Sequence, residues 1–156
     1  MQANAAQIAQ VQEILTAHAG IEGPLLPILH AVQAEFGHVP QDVLPVIAKS
    51  LNLSRAEVHG VMSFYHDFRE EPAGRHVVKL CRAEACQAMG ADRVAAHAKA
   101  ALGVDWHGTT ADGAVTLEPI FCLGLCACAP AAMVDGKLVG RVDEVRLDTL
   151  LAGVRV

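Results

Sequence analysis

The chain has 156 residues, a net charge of -5, 53% apolar and 19% charged residues, and five cysteines. That length holds one ordinary domain or two small ones, and the apolar balance points to a subunit whose exposed apolar surface a partner covers. Residues 1–70 carry three basic side chains (Lys49, Arg55, Arg69) against seven acidic ones, which leaves no basic stripe for nucleic acid, and no run of about eighteen apolar residues exists to enter a membrane.

The first segment, MQANAAQIAQVQEIL, lacks the basic, apolar and small-residue order of a secretory signal. A cytoplasmic location is expected, where thiols stay reduced and clustered cysteines bind metal more often than they pair. Ile8, Val11, Ile14 and Leu15 lay one apolar stripe on a helix that ends before Gly20. A second helix follows Gly23-Pro24 and carries Leu25, Leu26, Ile28, Leu29, Val32 and Phe36. Pro40 and Pro45 mark a third, since proline is tolerated in a first helical turn. Ser54 with Glu57 three residues on is a capping box for the fourth, with Leu53 and Val58 at the staple positions. In SFYHDF, the aromatic residues Phe64, Tyr65 and Phe68 are expected to pack between the helical part and the sheet.

Beyond REEPAGRH the period changes. HVVKL reads as a strand, EACQAMGADRVAAHAKAALG as one helix closed by Gly103, and AVTLEPIF as a second strand. AAMVDGKLVGRV places two apolar runs around Asp135-Gly136, a hairpin signal. Asp143 can cap a last helix burying Leu147, Leu150, Leu151 and Val154. The expected fold class is therefore α/β, with an N-terminal four-helix bundle over residues 1–70 and a βαβ–ββα, thioredoxin-like domain over residues 71–156.

All five cysteines fall in two groups, LCRAEACQAMG and FCLGLCACAP. A right-handed crossover makes the two strands parallel and brings their C-terminal ends to one sheet edge. Cys81 and Cys86 at the first end, and Cys122 and Cys126 at the second, then form one four-thiolate pocket. Four thiolates suit either zinc or an iron-sulfur cluster, and spacing alone does not separate them. Two features favour the cluster. A zinc ribbon separates its pairs by about 15 to 20 residues, whereas a helix and a strand intervene here. Cys86 also opens a helix whose unpaired N–H groups support an anionic centre. Arg82 is the only fixed cation next to a ligand in sequence, and Gly124 lets backbone amides approach sulfur. With four ligands already available, Cys128 reads as a small core residue.

The two cysteine pairs, FCLGLCACAP with its hairpin MVDGKLVG, and FGHVPQDVLPVIAKSLNLSRAEVHGVMSFYHDF together resemble the thioredoxin-like 2Fe-2S subunits of respiratory complex I, bidirectional hydrogenases and formate dehydrogenases. CRAEACQAMG, DWHGTTADG and TLEPIFCLGLCACAPAAMVDG look most like the gamma subunits of NAD-dependent molybdenum formate dehydrogenases. The resemblance implies one 2Fe-2S cluster on Cys81, Cys86, Cys122 and Cys126, with Cys128 outside the ligand set. It implies one-electron transfer beside a flavin-bearing, iron-sulfur NADH-oxidising subunit and a catalytic subunit with molybdenum and iron-sulfur centres. All-cysteine ligation then suggests a potential near that of plant-type ferredoxins, about -400 mV.

No Gly-rich phosphate loop for NAD or flavin is present, so the chain is expected to supply a relay and no substrate site of its own. The eight histidines are dispersed, without metal-binding spacing. Pro130 is a family candidate for a cis peptide, and Trp106 has no readable role. The reading from a different class is a zinc-stabilised interaction module.

Overall fold

The computed structural model describes residues 5–154. The chain divides into two compact units, residues 1–72 and residues 73–156.

In the first unit, α1 (Ala5–Ala17), α2 (Leu25–Phe36), α3 (Leu44–Leu51) and α4 (Arg55–Phe64) follow the expected apolar stripes. Their buried faces meet in one core, with Val11, Ile28, Leu29, Val32, Ile47 and Met62 at its centre. Local chemistry sets the helix ends. Gly37, at φ +76°, closes α2 with its N–H on the Gln33 carbonyl, and Asn52 does the same for α3 in a left-handed conformation. A 3₁₀ turn, Gln41–Val43, leads into α3, with Pro45 in its first turn. At α4 both arms of the capping box form: the Glu57 N–H donates to Ser54 Oγ at 3.2 Å, and the Ser54 N–H donates to the Glu57 carboxylate at 2.7 Å. The Ser54 backbone N–H, and after it the Ser54 hydroxyl, hold the Glu57 carboxyl below its ordinary pKa. Of the three aromatic residues in SFYHDF, Phe68 is buried in this core beside His30; Phe64 and Tyr65 are exposed.

The second unit is a four-stranded sheet in the order β2-β1-β3-β4. Strand β1 (His76–Cys81) pairs in parallel with β2 (Val115–Ile120) and antiparallel with β3 (Ala132–Val134), which pairs in turn with β4 (Lys137–Val139). Positive φ at both Asp135 and Gly136 makes the two-residue hairpin turn between β3 and β4. The Asp135 carboxylate also accepts the Val77 N–H at 2.9 Å and contacts His76 Nδ1 at 2.7 Å, tying the turn to the start of β1.

The expected single helix between β1 and β2 is two: α5 (Glu84–Ala88) and α6 (Ala91–Leu102), separated at Gly90 with φ +92°. Glycine accommodates this left-handed break without a Cβ penalty. Helix α6 packs Val94, Ala95, Ala98 and Leu102 against Val78, Leu80 and Leu117 of the sheet. The last helix, α7 (Glu144–Val154), starts with the Arg146 N–H on Asp143 Oδ1 at 2.8 Å and adds Leu147, Leu151 and Val154 to the same core. Leu150 is only partly buried. The Ala129–Pro130 peptide is cis.

Two outcomes follow from these contacts. Ser54→Ala removes the α4 cap and lowers unfolding free energy by about 1 kcal/mol, measured by denaturant unfolding. His97 Nε2 on α6 meets Asp148 Oδ1 on α7 at 2.7 Å, and that hydrogen bond raises the His97 pKa. Stability from this pair is complete below the unfolded pKa of about 6.5 and is lost as pH rises through the higher folded value. The gap in thermal midpoint between the native chain and Asp148→Asn is therefore widest in mild acid and closes at alkaline pH; a gap that widens with pH contradicts the assignment.

Candidate metal centre

Register brings the two cysteine loops together. Cys81 is the last residue of β1 and lies opposite Ile120, the last residue of β2, so Cys122 starts the adjacent loop two residues later. The Arg82 N–H continues the ladder onto the Ile120 carbonyl at 2.7 Å, and the Cys81 N–H donates to the Ala131 carbonyl at 2.9 Å on the other side. Cys81 is thus fixed between two neighbours. Cys86, in α5, is buried with it. Cys122 and Cys126 stand in the exposed loop that follows β2, their sulfurs 3.8 Å apart.

The pocket wall is made of small apolar residues. Ala91, Ala129 and Ala131 pack with Cys81 and Cys86, and Ala83, Ile120, Leu123 and Leu125 close around them. This packing keeps water from the inner thiols, which are buried. Sequence patterning missed these alanines because they come from three separate segments and follow no periodicity.

Backbone N–H groups face the sulfurs. Cys81 Sγ is approached by the amides of Ala83, Cys122 and Leu123, and the Gly124 N–H lies 3.4 Å from Cys122 Sγ. Cys122 has φ +85° and Gly124 φ +76°; alternation of left-handed residues turns successive N–H groups toward one side, as in an anion-binding nest. For a residue with a Cβ, such as Cys122, that conformation costs on the order of 1–3 kcal/mol. The expected support from a helix end is weaker than the sequence implied, since α5 has only five residues.

The thiols differ accordingly. Burial pushes the Cys81 thiol up, but the hydrogen bonds from Ala83, Cys86, Cys122 and Leu123 outweigh it and hold the pKa below a thiol's ordinary value. Burial, together with Cys81, raises the Cys86 pKa, and the nearby Cys122 thiol raises that of Cys126. Cys126 also interacts electrostatically with Cys81 and Cys86, so the four form two adjoining pairs. Among the described residues, no three His, Cys, Asp or Glu side chains converge as a single ion would require. Two adjoining thiol pairs in an amide-rich, apolar pocket are a donor set that fits an all-cysteine iron-sulfur centre.

Cys128 belongs to the loop's packing. It ends the 3₁₀ turn Cys126–Cys128 and is half-buried where core burial was expected. Its carbonyl accepts the Arg141 N–H at 2.6 Å. A Cβ on Gly140 would lie 2.8 Å from Cys128 Cβ, so only glycine lets the chain after β4 press against the loop that carries Cys126. Among the described residues, no helix is long and apolar enough to cross a membrane.

A sequence profile of the thioredoxin-like [2Fe-2S] ferredoxin family matches residues 11–155. An NADH-quinone oxidoreductase subunit of Rhizobium meliloti (strain 1021) is 37% identical over 131 residues, covering 84% of this chain and 78% of its own. The HndA subunit of the NADP-reducing hydrogenase of Solidesulfovibrio fructosivorans is 36% identical over 131 residues, covering 84% and 77%. Among solved structures, an air-oxidised NAD+-reducing [NiFe]-hydrogenase superposes with a TM-score of 0.71 at 26% identity, over 85% of this chain and 23% of the hydrogenase chain. With a profile match over nearly its whole length and relatives above 30% identity, the chain belongs to the thioredoxin-like [2Fe-2S] ferredoxin family, whose cofactor is one 2Fe-2S cluster.

Proposed function

We propose that Cys81, Cys86, Cys122 and Cys126 ligate the cluster, and that the chain is a one-electron relay subunit of an NAD-dependent formate dehydrogenase. The observation that carries the ligand assignment is the pairing of four thiols at the joined ends of β1 and β2, under amides from both loops. The chemistry the bound group supplies is the uptake and release of single electrons. The chain's own residues do the rest. Amides of Ala83, Cys122, Leu123 and Gly124 favour the anionic sulfurs. The alanine-lined wall limits water around Cys81 and Cys86, and the exposed Cys122–Cys126 loop is the edge that an electron partner can approach.

The parent complex is inferred from the wording of CRAEACQAMG, DWHGTTADG and TLEPIFCLGLCACAPAAMVDG. In that reading the partners are a flavin-bearing NADH-oxidising subunit and a molybdenum, iron-sulfur catalytic subunit in the cytoplasm, and the helices of residues 1–70 help attach the 71–156 domain to them. A second reading, the equivalent subunit of complex I or of a NAD(P)-linked hydrogenase, is favoured by the relatives with those names.

Cys122→Ser and Cys126→Ser should each lose iron or change its absorption and EPR spectra, whereas Cys128→Ala should keep both. Unchanged iron and spectra in both serine variants defeat the ligand assignment. For the complex, affinity purification from the native host under anaerobic conditions should bring molybdenum and formate-dependent NAD reduction. Nickel with hydrogen-dependent activity, or a membrane-bound quinone-reducing assembly, replaces formate dehydrogenase by the second reading.

A further inference from the structure

Arg82 directly follows Cys81, and its backbone is held on both sides. Its N–H donates to the Ile120 carbonyl at 2.7 Å, and its carbonyl accepts from Gln87 Nε2 at 2.6 Å. The side chain is equally confined. One terminal nitrogen pairs with Asp92 at 2.9 Å, and the guanidinium carbon lies 5.5 Å from the Trp106 ring centre, which Lys99 Nζ also approaches to 4.5 Å. Arg82 Nε is buried, and no acceptor reaches it. A charge-bearing donor left without a partner is a cost to the fold, and the ion pair with Asp92 does not remove it.

The two charges of that pair are unequally solvated: the Arg82 side chain is 26% exposed and that of Asp92 63%. Water screens the carboxylate more than the guanidinium, so the pair keeps a net positive character. Lys79 and Glu118, paired at 3.2 Å across β1 and β2, are similarly buried and largely cancel. Lys99 repeats the Arg82 pattern, half-buried against an exposed Asp105. The Cα atoms of Cys81 and Arg82 are about 3.8 Å apart across their trans peptide, which places Arg82 nearer the pocket in sequence than any other fixed cation.

Resting on the ligand assignment above, we propose that Arg82, clamped over Trp106, is a positioning residue for electron transfer that favours the reduced cluster and raises its reduction potential. The step is the entry of one electron from an external donor, a partner protein or dithionite; no bond forms or breaks, and the pocket gains one negative charge. Arg82 is always protonated, so its contribution does not vary with pH.

The test is an EPR-monitored redox titration of the full-length, cluster-loaded chain, with thermal unfolding recorded in parallel. Arg82→Gln should lower the reduction equilibrium constant about threefold to tenfold, tenfold being about 59 mV for one electron. Arg82→Lys should restore most of that loss, and Asp92→Asn should shift the potential upward. A purely structural Arg82 would lower the thermal midpoint of Arg82→Gln and leave its potential at the native value, which overturns the proposal. Where Arg82→Gln loses its cluster, Asp92→Asn decides, and an unshifted or lowered potential overturns it. A native chain without iron or a reduced-state signal defeats the ligand assignment itself, a result distinct from an unshifted potential.

Discussion

Parallel pairing of β1 with β2 is the constraint on which the rest of the second unit depends. It sets Cys81 opposite Ile120 and so brings two loops, some forty residues apart, to one sheet edge. Parallel strands require a crossover of a dozen or more residues, and α5 and α6 supply it. The apolar face of α6, together with α7, covers one side of the sheet and contributes the core that holds the edge in place.

Gathering four sulfurs creates an electrostatic problem that this chain solves mostly with backbone. Thiolates repel each other, and desolvation raises their pKa. Amide N–H groups carry no countercharge to desolvate and cannot titrate, so a loop that turns several of them toward sulfur stabilises anions without attracting water. The positive φ angles of Cys122 and Gly124 are the conformational cost of that arrangement. Gly140, lacking a Cβ, lets the chain after β4 lie against Cys128.

Much of this was readable from residues whose effect is local. Ser54 with Glu57, Asp135-Gly136 and Asp143 each act within a few positions, and the helices and hairpin fall where those residues put them. The meeting of the cysteine loops was also legible, because handedness and strand direction are general rules. What could not be read depends on long-range packing or backbone strain. EACQAMGADRVAAHAKAALG read as one helix, and only the left-handed φ of Gly90 splits α5 from α6. The alanine wall draws on three segments, and the clamp of Arg82 and Lys99 on Trp106 joins residues with no shared pattern. Phe64 and Tyr65 read as packing residues, yet only Phe68 of the three enters the core.

The most direct measurement of the central claim is metal analysis of the anaerobically purified native chain, with visible and EPR spectra before and after dithionite. This account predicts about two irons per chain, a red-brown colour that bleaches on reduction, and a one-electron paramagnetic signal. About one zinc, without colour or signal, would contradict it and reduce the same four cysteines to a structural clasp.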